Sequence, residues 1–145
     1  YGAIKDEVES HEIMCNRVDE MNGSQPIVNK IIRGILEAQY IIVDITNAKP
    51  NVFYELGIAH SFREAQNILI IKQQGTTYPF DITHLPYHEY SSNNIYQLKS
   101  IIRDFINSSK YITDFREALV INDIYDYSVS NSTNFIEYIE QKNQI

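Results

Sequence analysis

Two apolar runs, Tyr40 to Ile45 and Ile68 to Ile71, stand between stretches whose hydrophobic residues recur at helical spacing. Short β-branched runs without polar alternation fit strands covered on both faces by helices. Ahead of the first run, Ile27, Val28, Ile31, Ile32, Ile35 and Leu36 form one helical stripe, preceded by Gly23-Ser24-Gln25-Pro26, where a capping serine and an early proline signal a helix start. Val52, Leu56 and Ala59 form a second stripe between the runs. Ile95, Leu98, Ile101, Ile102 and Phe105 form a third within Asn94 to Ser108. Residues 1 to 12 suit a helix with Ala3, Ile4 and Val8 inward and Lys5, Asp6, Glu7 and Glu9 solvated. Ile13 to Val18 reads as a strand, Gln73 to Pro79 as a polar turn region, Pro79 to Ile82 as a short turn, and Tyr87 to Tyr90 as a last strand.

The repeated order helix, strand implies parallel crossovers, hence a doubly wound α/β sheet with helices on both faces. From Lys110 the character shifts to Asn, Asp, Tyr and Ser. Residues 1–109 are therefore expected to form the α/β domain, and 110–145 a helical or irregular extension that packs on it or mediates assembly. Helices over Tyr111 to Leu119 and Thr133 to Lys142 are the elements expected there.

Asp44 closes the first apolar run and so sits near the strand's carboxyl end, the edge at which open α/β sheets bind ligands. Thr46-Asn47-Ala48-Lys49-Pro50 follows, and Asn51 is a natural cap for a helix starting at Val52. At about 100° per residue Glu55 falls within about 40° of Ala59, so it is expected to point inward from the first turn. Burial raises a carboxylate's pKa, whereas a helix N-terminus favours its ionised form. Opposed influences of this kind suit an active-site carboxylate, and equally suit a glutamate that complements the helix dipole or bonds a buried backbone group. Arg17 and Asp19 end a neighbouring strand at the same edge, as site residues or as an ordinary surface ion pair.

The chain has 145 residues, 12 Lys and Arg against 19 Asp and Glu, and a net charge of −7, with no basic cluster on any expected face. Duplex nucleic acid is not an expected partner. One cysteine, Cys15, allows no internal disulfide and reads as a buried small residue. No apolar run approaches the length of a membrane span or signal peptide, so reduced cytoplasm is the expected location and no membrane partner is expected.

The five glycines, at 2, 23, 34, 57 and 75, match neither the dinucleotide fingerprint nor the Walker loop, and no GxSxG elbow occurs. His84 and His88 have Pro86 between them, and His11 and Cys15 straddle a helix-to-strand transition, so no metal is expected at either pair. Carboxylate chemistry remains, with Glu55 and Asp44 as a nucleophile and an orienting group.

The segment Asp44-Ile45-Thr46-Asn47-Ala48-Lys49-Pro50-Asn51-Val52-Phe53-Tyr54-Glu55-Leu56-Gly57-Ile58-Ala59-His60-Ser61 resembles the nucleoside 2-deoxyribosyltransferase-like group and its bacterial TIR-like relatives, with their DxTxxNPNVxYELGxAH pattern. Weaker similarity runs from Tyr1 through Pro79-Phe80-Asp81-Ile82-Thr83-His84-Leu85. The resemblance implies a flavodoxin-like fold acting on an N-glycosidic bond. Glu55 would attack the anomeric carbon or stabilise its oxocarbenium-like charge as the base departs. Asp44 would orient sugar hydroxyls or base, and Asn51 and Tyr54 would line the pocket.

Two departures from the family pattern shape the expectation. Where deoxyribosyltransferases carry a further acid before the catalytic helix, this loop offers Asn47, Lys49 and Asn51, and Lys49 suits a phosphate. NAD is therefore the expected substrate, and no cofactor is expected. The family's opening strand, central in a flavodoxin-like order, also has no counterpart ahead of Tyr1, so an upstream segment or a partner chain is expected to complete the sheet. The leading expectation is an NAD glycohydrolase or cyclase acting as an oligomeric antiviral defence effector. The alternatives are a nucleoside 2-deoxyribosyltransferase, a non-catalytic nucleotide-sensing module, and an interaction domain in which Glu55 is structural.

Overall fold

A computed structural model describes residues 1–20, 26–76, 84–108 and 117–121. Its helices are α1 (Gly2–Glu9), α2 (Ile27–Glu37), α3 (Pro50–Phe62) and α4 (Ile95–Ser108). Its strands are β1 (Met14–Arg17), β2 (Tyr40–Asp44), β3 (Ile68–Gln73), β4 (Tyr87–Tyr90) and β5 (Glu117–Ile121). Short 3-10 turns cover Val18–Glu20 and Ala65–Asn67.

Strand alternation sorts the apolar side chains into two layers. Ile41, Val43, Ile68, Ile70, Leu119 and Ile121 face one way and bury Ile31, Ile32 and Ile35 of α2 with Val52, Leu56 and Ala59 of α3. Tyr40, Ile42, Leu69, Ile71, Ala118 and Val120 face the other way and bury Ile4 and Val8 of α1 with Leu98, Ile102 and Ile106 of α4. Both faces of the central strands are covered, which explains why β2 and β3 lack polar alternation. Of the stripe expected on α2, Ile31, Ile32 and Ile35 are buried, and Val28 and Leu36 are partly buried against the same layer.

All strand pairings are parallel, in the order β1-β5-β2-β3-β4. This is the expected flavodoxin-like doubly wound sheet, with one difference in how the chain supplies it. With β5 counted first, the order is the 2-1-3-4-5 of that fold. The central position, expected to come from an upstream segment or a partner chain, is taken within the described residues. β5 fills it, pairing Ala118 with both Cys15 and Tyr40 and Val120 with both Arg17 and Ile42. The expected helix over Tyr111 to Leu119 is overturned at its end, because Glu117 to Leu119 are strand. Ala118, Leu119, Val120 and Ile121 are each at most 1% exposed, so the segment beyond Lys110 contributes the middle of the core.

Three further expectations are corrected. Glu7 is buried, not solvated, because α4 covers it and Arg103 neutralises it. Ile95, expected in the inward stripe of α4, is 55% exposed, at the first position of a helix whose N-terminus is capped by Asn94 accepting from the Gln97 amide at 3.1 Å. β3 runs two residues past Ile71, and Lys72 remains buried within it by pairing with Glu89 at 3.0 Å. Ser24, the turn at Pro79 to Ile82 and the helix over Thr133 to Lys142 lie outside the described residues.

Candidate functional site

β5 lies between β1 and β2, and open parallel sheets of this kind bind ligands outside the carboxyl ends of their strands. Val43 pairs with Ile121 there, and Asp44 ends β2 one residue beyond. Asp44 is partly buried and fully engaged at one oxygen. The amide of Thr46 donates to Oδ1 at 3.0 Å, the Thr46 hydroxyl donates to the same oxygen, and the Tyr90 hydroxyl donates to Oδ2 at 2.8 Å. Thr46 Oγ1 in turn accepts from the Gln73 amide at 3.0 Å. One carboxylate thus ties the ends of β2, β3 and β4 to the first residues of the loop.

That loop turns through Ala48, whose φ of +50° is the left-handed region that side chains with a Cβ rarely adopt. Ala48 also donates its amide to the Ile45 carbonyl at 3.0 Å, which closes the turn. α3 then starts earlier than the sequence suggests. Lys49 caps it in extended conformation, Pro50 occupies the first helical position, and the Lys49 carbonyl accepts from the Val52 amide at 3.1 Å. Proline is preorganised for that position. Asn51 is accordingly inside the helix, not its cap, and Glu55 lies in the second turn, not the first. The helix dipole acts mainly within one turn of the terminus, so it favours Glu55 less than a first-turn placement would.

Glu55 points inward as expected and is 3% exposed, beside Val52, Leu56 and Ala59 in the layer formed with α2. Alternation sets Asp44 in line with Tyr40 and Ile42, on the side covered by α1 and α4, where Tyr90 also packs. The two acids therefore flank the end of β2 from opposite faces of the sheet. Asn47 and Lys49 are exposed on the loop between them, Asn51 is partly buried, and Tyr54 is 40% exposed, with burial of the rest raising its hydroxyl pKa.

Arg17 and Asp19 are set apart from this group. Arg17 is level with Val120 and Ile42, two strands from β2, which is about 10 Å across the sheet. Its guanidinium lies 4.5 Å from the centre of the Tyr1 ring, and the Tyr1 hydroxyl donates to Glu20 at 2.8 Å. Burial and that carboxylate together raise the Tyr1 pKa. Asp19 falls in the 3-10 turn after β1.

Tyr90, Thr46 and Lys72 were not singled out by sequence reasoning. Tyr90 and Asp44 are 46 residues apart, and only the pairing of β2 through β3 to β4 brings them together. Lys72 directly follows the apolar run Ile68 to Ile71, and its Nζ lies 5.3 Å from the Tyr87 ring centre as well as on Glu89. Among the described residues, no three His, Cys, Asp or Glu side chains converge as a metal would require. No helix among them is long and apolar enough to cross a membrane.

A cleft of about 400 Å³ opens at the opposite, amino end of the sheet, between Leu69 and His88 on the strands and Ile101 and Phe105 on α4. It is walled mainly by apolar side chains and contains none of the acids discussed above. No protein-family model matches the chain, and no curated protein or solved structure matches it either.

Proposed function

We propose that this protein cleaves or transfers an N-glycosidic bond of a nucleotide, with NAD as substrate and Glu55 as nucleophile or charge stabiliser. The observation that carries the reading is the Glu55 carboxylate, 3% exposed on the helix that follows β2. A carboxylate held away from water interacts strongly with a developing oxocarbenium charge. Asp44 at the end of the same strand supplies a sugar contact, and exposed Lys49 at the start of α3 suits a phosphate. Nicotinamide leaves, and water or a hydroxyl of the same substrate completes hydrolysis or cyclisation. Assembly into a homo-oligomer, a cytoplasmic location and a role in defence belong to this reading through the family resemblance alone.

A second reading is a nucleotide-sensing module of the same fold. It is favoured by the depth of Glu55 and by the engagement of Asp44 with Thr46 and Tyr90, both of which serve a stable scaffold as well as a reaction.

Incubation of the protein and of Glu55→Gln with NAD, and separately with a deoxynucleoside plus free base, distinguishes these readings by chromatography of the released base. Nicotinamide release abolished by the substitution supports NAD processing. Base exchange on the deoxynucleoside moves the assignment to the transferase, and NAD binding without turnover moves it to the sensing module.

A further inference from the structure

We infer that Asp44 recognises the substrate sugar through one hydroxyl only, accepted at Oδ2, and that Tyr90 is the positioning residue that makes this so. The inference rests on the nucleotide reading above and names how that site grips the sugar.

A carboxylate offers about four acceptor positions, two on each oxygen. On Asp44, Thr46 occupies both positions of Oδ1 with its amide and its hydroxyl. Tyr90 occupies one position of Oδ2, at 2.8 Å. Among the described residues one acceptor position remains, on Oδ2. Asp44 is partly buried at the carboxyl end of β2, and Tyr90 ends β4 at the same edge.

The geometry has two chemical consequences. A carboxylate with both oxygens open can straddle the vicinal diol of a ribose, or grip a guanidinium, with two parallel hydrogen bonds. With Oδ1 filled, Asp44 can do neither, and it takes a single neutral donor. The carboxylate plane is also fixed from both ends, by Thr46 at the start of the loop and by Tyr90 across two strand pairings, so the remaining lone pair has one direction. Tyr90 acts through Asp44: without its hydroxyl, Oδ2 regains a second acceptor position and the plane loses one of its two restraints.

The test uses equilibrium binding in the Glu55→Gln background, where substrate is not consumed. The probes are NAD and two analogues lacking either the 2′ or the 3′ hydroxyl of the nicotinamide-bearing ribose. A single charge-assisted hydrogen bond corresponds to roughly ten- to hundredfold in affinity. Removal of one hydroxyl is expected to weaken binding at least tenfold, and removal of the other by less than about threefold. In Glu55→Gln/Tyr90→Phe the asymmetry between the analogues is expected to fall to within about threefold, while NAD itself still binds.

Equal losses for both analogues, or no loss for either, overturn the inference on the background protein alone, whether or not the Tyr90 variant folds. An asymmetry unchanged by Tyr90→Phe overturns the role of Tyr90. Failure of NAD to bind removes the nucleotide reading and the inference together, whereas binding with symmetric losses removes the inference and leaves that reading standing.

Discussion

Arg103 of α4 grips Glu7 of α1 with two parallel hydrogen bonds, Nε to Oε1 at 2.9 Å and Nη2 to Oε2 at 3.3 Å, across 96 residues of chain. The Glu7 side chain is 7% exposed and that of Arg103 52%, so the pair sits at the rim of the layer that α1 and α4 share. His11 adds a third contact to Oε1 at 3.2 Å. Arg103→Met keeps the apolar stem but strands a buried charge, and a destabilisation of about 2 kcal/mol is expected. The double variant Glu7→Gln/Arg103→Met is expected to recover part of that loss. Urea unfolding of the two single variants and the double variant measures the coupling. An additive result would show that the pair carries no energy of its own.

The same carboxylate sets a dependence on acid. Burial pushes the Glu7 carboxyl up, but the hydrogen bonds from Arg103 and His11 outweigh it and hold the pKa below its ordinary 4.5. A carboxyl whose folded pKa is depressed binds its proton more readily in the unfolded chain. Its contribution is complete above the unfolded value and is lost as pH falls through the folded one. The stability difference between the natural protein and Glu7→Gln is therefore expected to shrink steadily below about pH 4.5. Denaturant midpoints at closely spaced pH values between 3 and 5 test the sign. A difference that grows toward acid would contradict it.

β5 makes a sharper claim on the fold. It comes last among the described strands yet lies between β1 and β2, and its removal would leave two strands with unpaired edges and uncovered apolar faces. Leu119→Ala is expected to cost about 2–5 kcal/mol, the range for truncating a fully buried aliphatic side chain. Ile95→Ala, at a position 55% exposed on α4, is expected to change stability by no more than about 0.5 kcal/mol. Thermal unfolding of both variants checks the contrast, and a mild effect at Leu119 would remove β5 from the core.

Why β5 was illegible while β2 was not follows from length and flanks. Tyr40 to Ile45 is bounded by a helix stripe and a proline-bearing loop, so its type is settled locally. Ala118 to Ile121 is a four-residue apolar run joined to Tyr111, Ile112 and Phe115 at spacings a helix also satisfies, and only its partners β1 and β2 decide that it is strand. Glu55 was legible as an inward residue because helical phase is a local property. The start of its helix was not, because Asn51 and Pro50 offer competing signals and the proline prevails. Glu7 and Tyr90 were hidden for a common reason: each takes its meaning from a partner on a distant element, Arg103 in one case and Asp44 in the other.

Ala48 provides a local test of the loop that leads into the candidate site. Its φ of +50° costs a residue with a Cβ about 1–2 kcal/mol relative to the right-handed regions, and glycine adopts it without that cost. Glycine also gains freedom in the unfolded chain, which offsets part of the benefit. Ala48→Gly is therefore expected to stabilise the folded protein by about 0.5–1 kcal/mol, seen as a higher denaturant midpoint with an unchanged slope. The backbone of Thr46, held on Asp44 at 3.0 Å, has no reason to move with it. On the proposed reading, base release from NAD is accordingly expected to stay within about twofold of the natural protein. A higher midpoint together with a large loss of activity would mean that the strained turn is needed for the chemistry, as strain at functional loops often is. A lower midpoint would mean that the left-handed conformation at Ala48 is not the one the folded chain adopts.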